Sequence, residues 1–500
     1  MIKKYFALLF LFCLSSFIYA QNIEYELVNR LINYAGKNTQ SDENSDTFPS
    51  SEGQKELARL LKLELESFGV KKVTIDDNYY VYATIPGNVK NAPVLFLSAH
   101  LDTSPDLDLK GKSPVVVVHE YNGGDLVINE KLNLVLTPEK NEFLAEAAGG
   151  MVITSDGTTL LGGDYKAGMS IIMTLAETLT NNPNIPHGDI RILFTPDEEI
   201  GNSTSRLTKK DIAADFGLVL DSHGFGRLLV GNFNAIDFTF FVRAIPGFEA
   251  YNNMPGPYRI ATNFMSNFRK EKSAYNSTGM QGYMEHNGVV GGQNEYLVRG
   301  RLRSFDLPGE MQEYKDLVQK WARETAEDAI NKYKKQDYNM KYVSIINGEA
   351  SDSYTDNDLV IVLTMKNSYF NAKDVLEKYP TNFALLQEAY DEAGVKMIPQ
   401  SGRGGSDAGD ITYLGIPTYN MFTGSHNEHS QDEWVSSKQM LASYNVALNY
   451  IQLMAQQDRT TMLKEGNPRY TPQVPELDMK KFEYAFKKMS ENYGNPFSDR

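Results

Sequence analysis

Cysteine is nearly absent from this chain: the one residue in 500 is Cys13. It falls inside a segment that reads as a removable leader, so the mature chain is expected to carry none. Without cysteine no disulfide can staple the fold, and any zinc site has to be built from His, Asp and Glu. Basic residues are also in short supply. With 49 Lys and Arg against 64 Asp and Glu, the net charge is −15. That balance argues against a nucleic-acid partner, because phosphate binding needs a basic surface. Beyond the leader no run is long and apolar enough to span a bilayer, so no membrane anchor is expected after the leader is removed.

The leader itself is legible. Lys3 and Lys4 precede an apolar run from Tyr5 to Leu14, and Ser15, Ser16 and Ala20 follow. A charged start, a short apolar stretch and small residues before Gln21 describe a signal peptide over 1–20 and an exported, periplasmic or secreted, protein. Phe12, standing before Cys13, argues against lipid attachment at that cysteine.

What the chain does have is a repeated device: an apolar strand running directly into metal-type ligands. PVLFLSAHLDTSPD ends in His100 and Asp102, and HGDIRILFTPDEEIG ends in Asp197, Glu198 and Glu199. FGLVLDSHG carries Asp221, and IPTYNMFTGSHNEHSQDEW carries His426 and His429. Continuous apolar runs are the signature of buried parallel strands, and in open α/β sheets the chemistry sits beyond their carboxyl ends. LLGGDYKAGMSII places Asp164 on a glycine turn at the mouth of a helix, whose apolar face is Met169, Ile172, Leu175, Ala176 and Leu179.

The expected fold is α/β: a mixed, mostly parallel sheet flanked by helices, interrupted by an inserted α+β lid. The lid has its own order of strand, helix, extended pieces, long helix and strand, which suits helices packed on an antiparallel sheet. The expected organisation is a signal peptide (1–20), a catalytic domain in two parts (21–225 and 350–455), the lid (226–349) and a tail (456–500).

His100, Asp164, Glu199, Asp221 and His429 make a set of two histidines and three carboxylates. A dinuclear zinc site needs about that many donors when one carboxylate bridges ions roughly 3.5–4 Å apart. Such ions bring the pKa of a shared water to near neutrality. Asp102 is placed to orient the His100 imidazole. Glu198, beside a ligand, is the natural general base: it takes the proton of the metal-bound water and returns it to the leaving amine.

These segments together resemble the co-catalytic zinc peptidase and aminoacylase family, which includes carboxypeptidase G and succinyl-diaminopimelate desuccinylase, and are most similar to its peptidase T-type, tripeptide-cleaving branch. HLDTSPD, HEYNGGDL, ITSDGTTLLGGDYKAG, FTPDEEIG, GRGGSDAGD and FTGSHNEH carry the likeness over roughly Ile23 to Gln452. The resemblance implies two zinc ions per chain, one held by His100 and Asp221, the other by Glu199 and His429, with Asp164 bridging. It implies Asp102 and Glu198 as catalytic residues and a short peptide as substrate. It also implies that Arg403 binds the peptide's terminal carboxylate, with Arg303 as a second candidate, since a guanidinium fork suits that group.

Several positions depart from the family pattern. Ser222 stands where glycine is common, His426 where tyrosine is usual, and Asp432 in place of a histidine. The lid's His-Pro-Gly reads Ile245-Pro246-Gly247, and an isoleucine cannot polarise a carbonyl; loss of one such donor costs on the order of 10²–10³ in rate. His223 and His286 are the candidate substitutes. The leading expectation is a dizinc aminopeptidase acting on the N-terminal bond of short peptides. The alternatives are a dizinc amidohydrolase of N-acyl amino acids or dipeptides, and a catalytically weakened peptide-binding member, for which Ile245 is the one supporting feature.

Overall fold

A computed structural model describes residues 22–107, 111–244, 255–335, 342–346 and 358–466. The leader, Ile245-Pro246-Gly247 and the tail past 466 lie outside the described residues.

An eight-stranded sheet forms the base of the molecule. Its order is Lys72–Ile75, Val81–Ile85, Ile190–Thr195, Leu95–His100, Phe216–Ser222, Thr418–Phe422, Arg227–Asn232, Ile398–Gly402. The four central strands, from Ile190–Thr195 to Thr418–Phe422, run parallel. Their residues are buried without alternation, as in LFLSAH and FGLVLDS, because helices cover both faces. Leu95, Leu97 and Ala99 join the core made with the helices Gly163–Asn181 and Ser437–Ala455. Phe96 points the other way, into a smaller core with Ile411 of the helix Asp407–Tyr413. Parallel strands end on one side of the sheet, so His100, the turn after Thr195, Asp221 and the loop after Phe422 all arrive at the same edge.

A second, five-stranded sheet has the order Tyr283–Gly291, Glu295–Ser304, Asn234–Arg243, Leu359–Tyr369, Tyr342–Ile346. One face (Ile236, Phe238, Phe240, Val242) packs on the helices Pro257–Met265 and Gln312–Lys334. All its pairings are antiparallel except that of Tyr342–Ile346 with Leu359–Tyr369, which is parallel. Two strands belong to a different sheet from the one their sequence position suggests. Leu359–Tyr369 pairs within the lid sheet, and Arg227–Asn232 pairs within the large sheet. Both read as plain strands, and sheet membership is decided by long-range pairing that periodicity does not encode.

A four-stranded sheet (Ser425–His426, Trp434–Ser436, Gly150–Ser155, Val116–Tyr121) frames the loop 427–433, which carries His429. Gly168 shows how tightly the helix carrying Asp164 approaches the central strand. A Cβ there would stand 2.0 Å from the Leu220 carbonyl oxygen.

Candidate metal centre and active site

Five side chains converge at the carboxyl edge of the large sheet in two groups that share Asp164: His100, Asp164 and Asp221, and Asp164, Glu199 and His429. Within each group the donor atoms lie within 4.8 Å of one another. His100 Nε2 is 3.1 Å from Asp164 Oδ1 and 3.3 Å from Asp221 Oδ1. His429 Nε2 is 3.1 Å from Asp164 Oδ2 and 3.0 Å from Glu199 Oε2. Asp164 thus presents one oxygen to each group, as a bridge requires.

The far nitrogens of both imidazoles are held by carboxylates. His100 Nδ1 is 3.3 Å from Asp102 Oδ1, and His429 Nδ1 is 2.6 Å from Asp106 Oδ2. Each ring therefore aims Nε2 at the centre, the arrangement that orients a ligating histidine. Asp102 does more than hold His100. Its two oxygens accept the backbone N–H groups of Glu198 and Glu199, each at 3.0 Å. Asp197, with φ +56°, anchors the same turn: its carboxylate accepts from Ser50 N at 2.8 Å and Gln54 Nε2 at 2.7 Å.

The turn bearing Asp164 is pinned by Glu433, which is 1% exposed. Its carboxylate accepts three backbone N–H groups, from Leu161, Gly162 and Asp164, each at 2.9 Å. Gly162 has φ +72°, the left-handed region that favours glycine, and a Cβ there would crowd Thr103 Oγ1 at 3.0 Å and Lys166 Nζ at 3.1 Å. Asp221 is held by Asn420, whose side chain accepts from Asp221 N at 3.1 Å and donates to its carbonyl at 3.0 Å.

The electrostatics call for positive charge at the centre. Burial pushes Glu199 up to about 8, reinforced by Asp164, although His429 opposes it. Burial pushes Asp221 up to about 7, against His100. Burial works against charge on His100 too, yet Asp102, Asp164 and Asp221 hold it well above the ordinary imidazole range. Hydrogen bonds to Asp164 and Glu199 do the same for His429. Two anionic oxygens, Glu199 Oε1 and Asp221 Oδ1, are buried without a hydrogen-bond partner. Orphaned buried carboxylate oxygens are costly, and one stands in each three-donor group. Three carboxylates, two of them with an oxygen that makes no hydrogen bond, and two imidazoles fit a pair of divalent cations. Glu198 adjoins this set without belonging to either group. Burial, then Asp221, raises its pKa well above the carboxylate range, which suits a group that must take a proton and give it back.

A cleft of about 430 Å³ opens beside Glu198 and Glu199 towards the lid, where Arg301, Arg303 and Lys366 line it. Arg303 is tethered there, with Nη1 donating to Asp237 Oδ1 at 3.1 Å and its guanidinium over the Tyr369 ring. Arg403 is placed differently from a free carboxylate clamp. Its Nη1 and Nη2 donate to the carbonyls of Gly279, Gln281 and Ser277 and to Ser277 Oγ. It fastens the loop of the large domain to the lid. Of the candidate substitutes for the lid histidine, His223 is 53% exposed near the centre. His286 packs edge-on against Phe268 in the lid. His426 turns away from the site: it stacks on Trp434 and bonds Gln439 Oε1 at 2.6 Å.

Asp106 and Glu433 were not singled out from the sequence. A signal existed for each: Asp106 lies four residues beyond Asp102 in the same ligand-bearing segment, and Glu433 is an acid directly preceding the buried WVS strand.

With this geometry in place, the chain can be set beside known proteins. Residues 162–453 match peptidase family M20/M25/M40. Peptidase T of Halothermothrix orenii is 35% identical over 435 residues, which covers 86% of this chain and 99% of that protein. Peptidase T of Bacillus licheniformis is 35% identical over 432 residues, covering 86% and 98%. Among solved structures, aminopeptidase PepT from Bacillus cereus superposes with a TM-score of 0.60 at 17% identity, covering 87% of this chain and 99% of that one. A dinuclear metal-binding peptidase of Bacillus subtilis gives 0.53 at 12% identity, covering 86% and 98%. At these identities the structures speak for the fold.

Proposed function

The chain belongs to the M20/M25/M40 peptidases and is a metallopeptidase, and from that premise we propose that it is a dizinc aminopeptidase that removes the N-terminal residue of tripeptides and similar short peptides. The observation that carries this reading is the pair of three-donor groups sharing Asp164, with Glu198 beside them. The relatives named peptidase T support the substrate class. Residues 1–20 would export the enzyme.

In this reading His100 and Asp221 would hold one zinc, Glu199 and His429 the other, and Asp164 would be shared. When bound, the cations supply Lewis acidity to the scissile carbonyl and acidity to water. The protein's own residues do the rest. A Glu198 carboxylate oxygen takes the proton of the attacking water and delivers it to the nitrogen of the leaving amine. Asp102 keeps Glu198 and Glu199 in place through their backbone N–H groups, so the base and its neighbouring ligand move as one unit. The terminal carboxylate of the peptide lies in the cleft that Arg303 lines, and Arg403 holds the lid over it.

The test is a zinc-loaded sample of the chain lacking residues 1–20, incubated with di-, tri- and tetrapeptides. The expected result is two zincs per chain and release of one N-terminal residue from tripeptides, abolished by Glu198→Gln with zinc retained. Release of acyl groups from N-acyl amino acids in place of residues from tripeptides would refute the substrate assignment while leaving the metal centre standing.

A further inference from the structure

One acid in the centre is used by nothing described so far. Glu428 sits between Asn427 and His429, which have φ of 56° and 60°, so the backbone on both sides is held in the left-handed region. Its side chain is only 15% exposed, and its Oε2 stands 3.9 Å from His223 Nδ1, beyond hydrogen-bond reach. Its Oε1 is buried and has no hydrogen-bond partner. Neither three-donor group includes it. A buried carboxylate oxygen left open forfeits its hydration for nothing in return, which makes sense where a ligand supplies the missing donor.

The surroundings define that ligand. His223, 3.9 Å away, and the next residue, His429, are 53% and 42% exposed, so this part of the centre opens to solvent. The cleft lined by Arg301, Arg303 and Lys366 includes Glu198 and Glu199 but neither Glu428 nor His429. The three cations of the cleft stand there with Asp237, Asp407 and Asp410, while Glu428, with Oε1 unpartnered, stands outside that lining and next in the chain to His429. In the aminopeptidase reading the scissile carbonyl belongs to the first residue, so a peptide with that bond at the centre carries its ammonium beside the ligand set, where Glu428 adjoins His429. An ammonium offers the short, charge-assisted N–H donors that a desolvated carboxylate binds best.

We propose that Glu428 receives the free α-ammonium group of the substrate's N-terminal residue and so restricts the enzyme to peptides with an unblocked amino terminus. The inference rests on the aminopeptidase reading and sharpens it, because it excludes N-acylated substrates from productive binding.

The experiment compares Glu428→Gln and Glu428→Asp with the parent, each zinc-loaded. Trialanine and N-acetyl-trialanine binding are measured by calorimetry in a Glu198→Gln background, and turnover is measured with Glu198 intact. The expected outcome is unchanged zinc content and a loss of trialanine affinity of about 10- to 100-fold in Glu428→Gln. N-acetyl-trialanine binding would not change, and Glu428→Asp, which keeps the charge, would recover part of the loss. Equal weakening of both peptides, no weakening of either, or loss of a zinc from Glu428→Gln would overturn the assignment. Preferential binding of trialanine without any turnover by the parent would refute the aminopeptidase reading alone.

Discussion

Removing the Asp106 carboxylate is expected to separate the two halves of the metal centre. Among the ligand candidates Asp106 meets His429, its Oδ2 lying 2.6 Å from Nδ1 and also accepting from Ser104 Oγ at 2.8 Å, and His429 belongs only to the group with Asp164 and Glu199. Loss of such an orienting partner weakens metal binding by about 10- to 100-fold. Here the lower end applies. The two side chains are 56% and 42% exposed, so water screens the pair. Ser104 Oγ, already 3.4 Å from the same nitrogen, can take over part of the contact. Asp106→Ala should therefore bind one zinc with parental affinity and the other about tenfold more weakly, close to 1.4 kcal/mol. Chelator competition at graded free zinc, read by metal analysis, resolves the two steps. The control is Asp102→Ala, which removes the partner of His100 together with the acceptor of two backbone N–H groups, and should disturb both sites. If Asp106→Ala weakens both steps equally, or neither, the idea that each imidazole is oriented by its own carboxylate is wrong.

Glu433→Ala strands three buried backbone N–H groups, each worth about 1–3 kcal/mol if left unpaired. The expected result is a fall in unfolding free energy of at least about 3 kcal/mol by urea titration, and Glu433→Gln, with one acceptor retained, should lie between. His426 supplies a pH dependence away from the metals. Burial pushes its pKa down to about 3, only partly offset by Gln439, so between pH 6.5 and 3 the unfolded chain binds a proton that the folded chain refuses. Its contribution to stability is present above the unfolded pKa and lost as pH falls, by about 1.4 kcal/mol per pH unit. A His426→Phe variant should lose this slope in urea midpoints measured from pH 7 to 5; an unaltered slope would contradict the assignment.

The five metal-type ligands were legible because each is a chemically distinctive residue at the end of an apolar run, and parallel strands deliver their ends to one edge. Their supports were less so. Glu433 acts through backbone N–H groups some 270 positions away; its place directly before an apolar strand hints at burial, but not at the three amides it accepts. Arg403 was legible as a guanidinium in a glycine-rich loop, but its partners are lid carbonyls that only the folded chain brings within reach. Glu428 hid between two stronger signals, His426 and His429, and of those two only His429 faces the centre. The lid was recognisable as an insertion, while the assignment of Leu359–Tyr369 to its sheet depended on pairing with Asn234–Arg243.

The order of strands in the large sheet also bears on how the chain is made. Phe216–Ser222 and Arg227–Asn232 are close in sequence, yet Thr418–Phe422 lies between them, with Asn420 bonded to Asp221 across 199 positions. As the ribosome releases the chain from its N-terminus, that slot stays open until the whole lid has been synthesised. Two unpaired edges then face each other in the middle of the nascent sheet, the kind of edge that recruits a foreign strand. The same late strand leads into the loop that brings His429. The keystone of the sheet and the last ligand thus arrive together, and a chain cut short before residue 418 would be both adhesive and unable to close its second metal site.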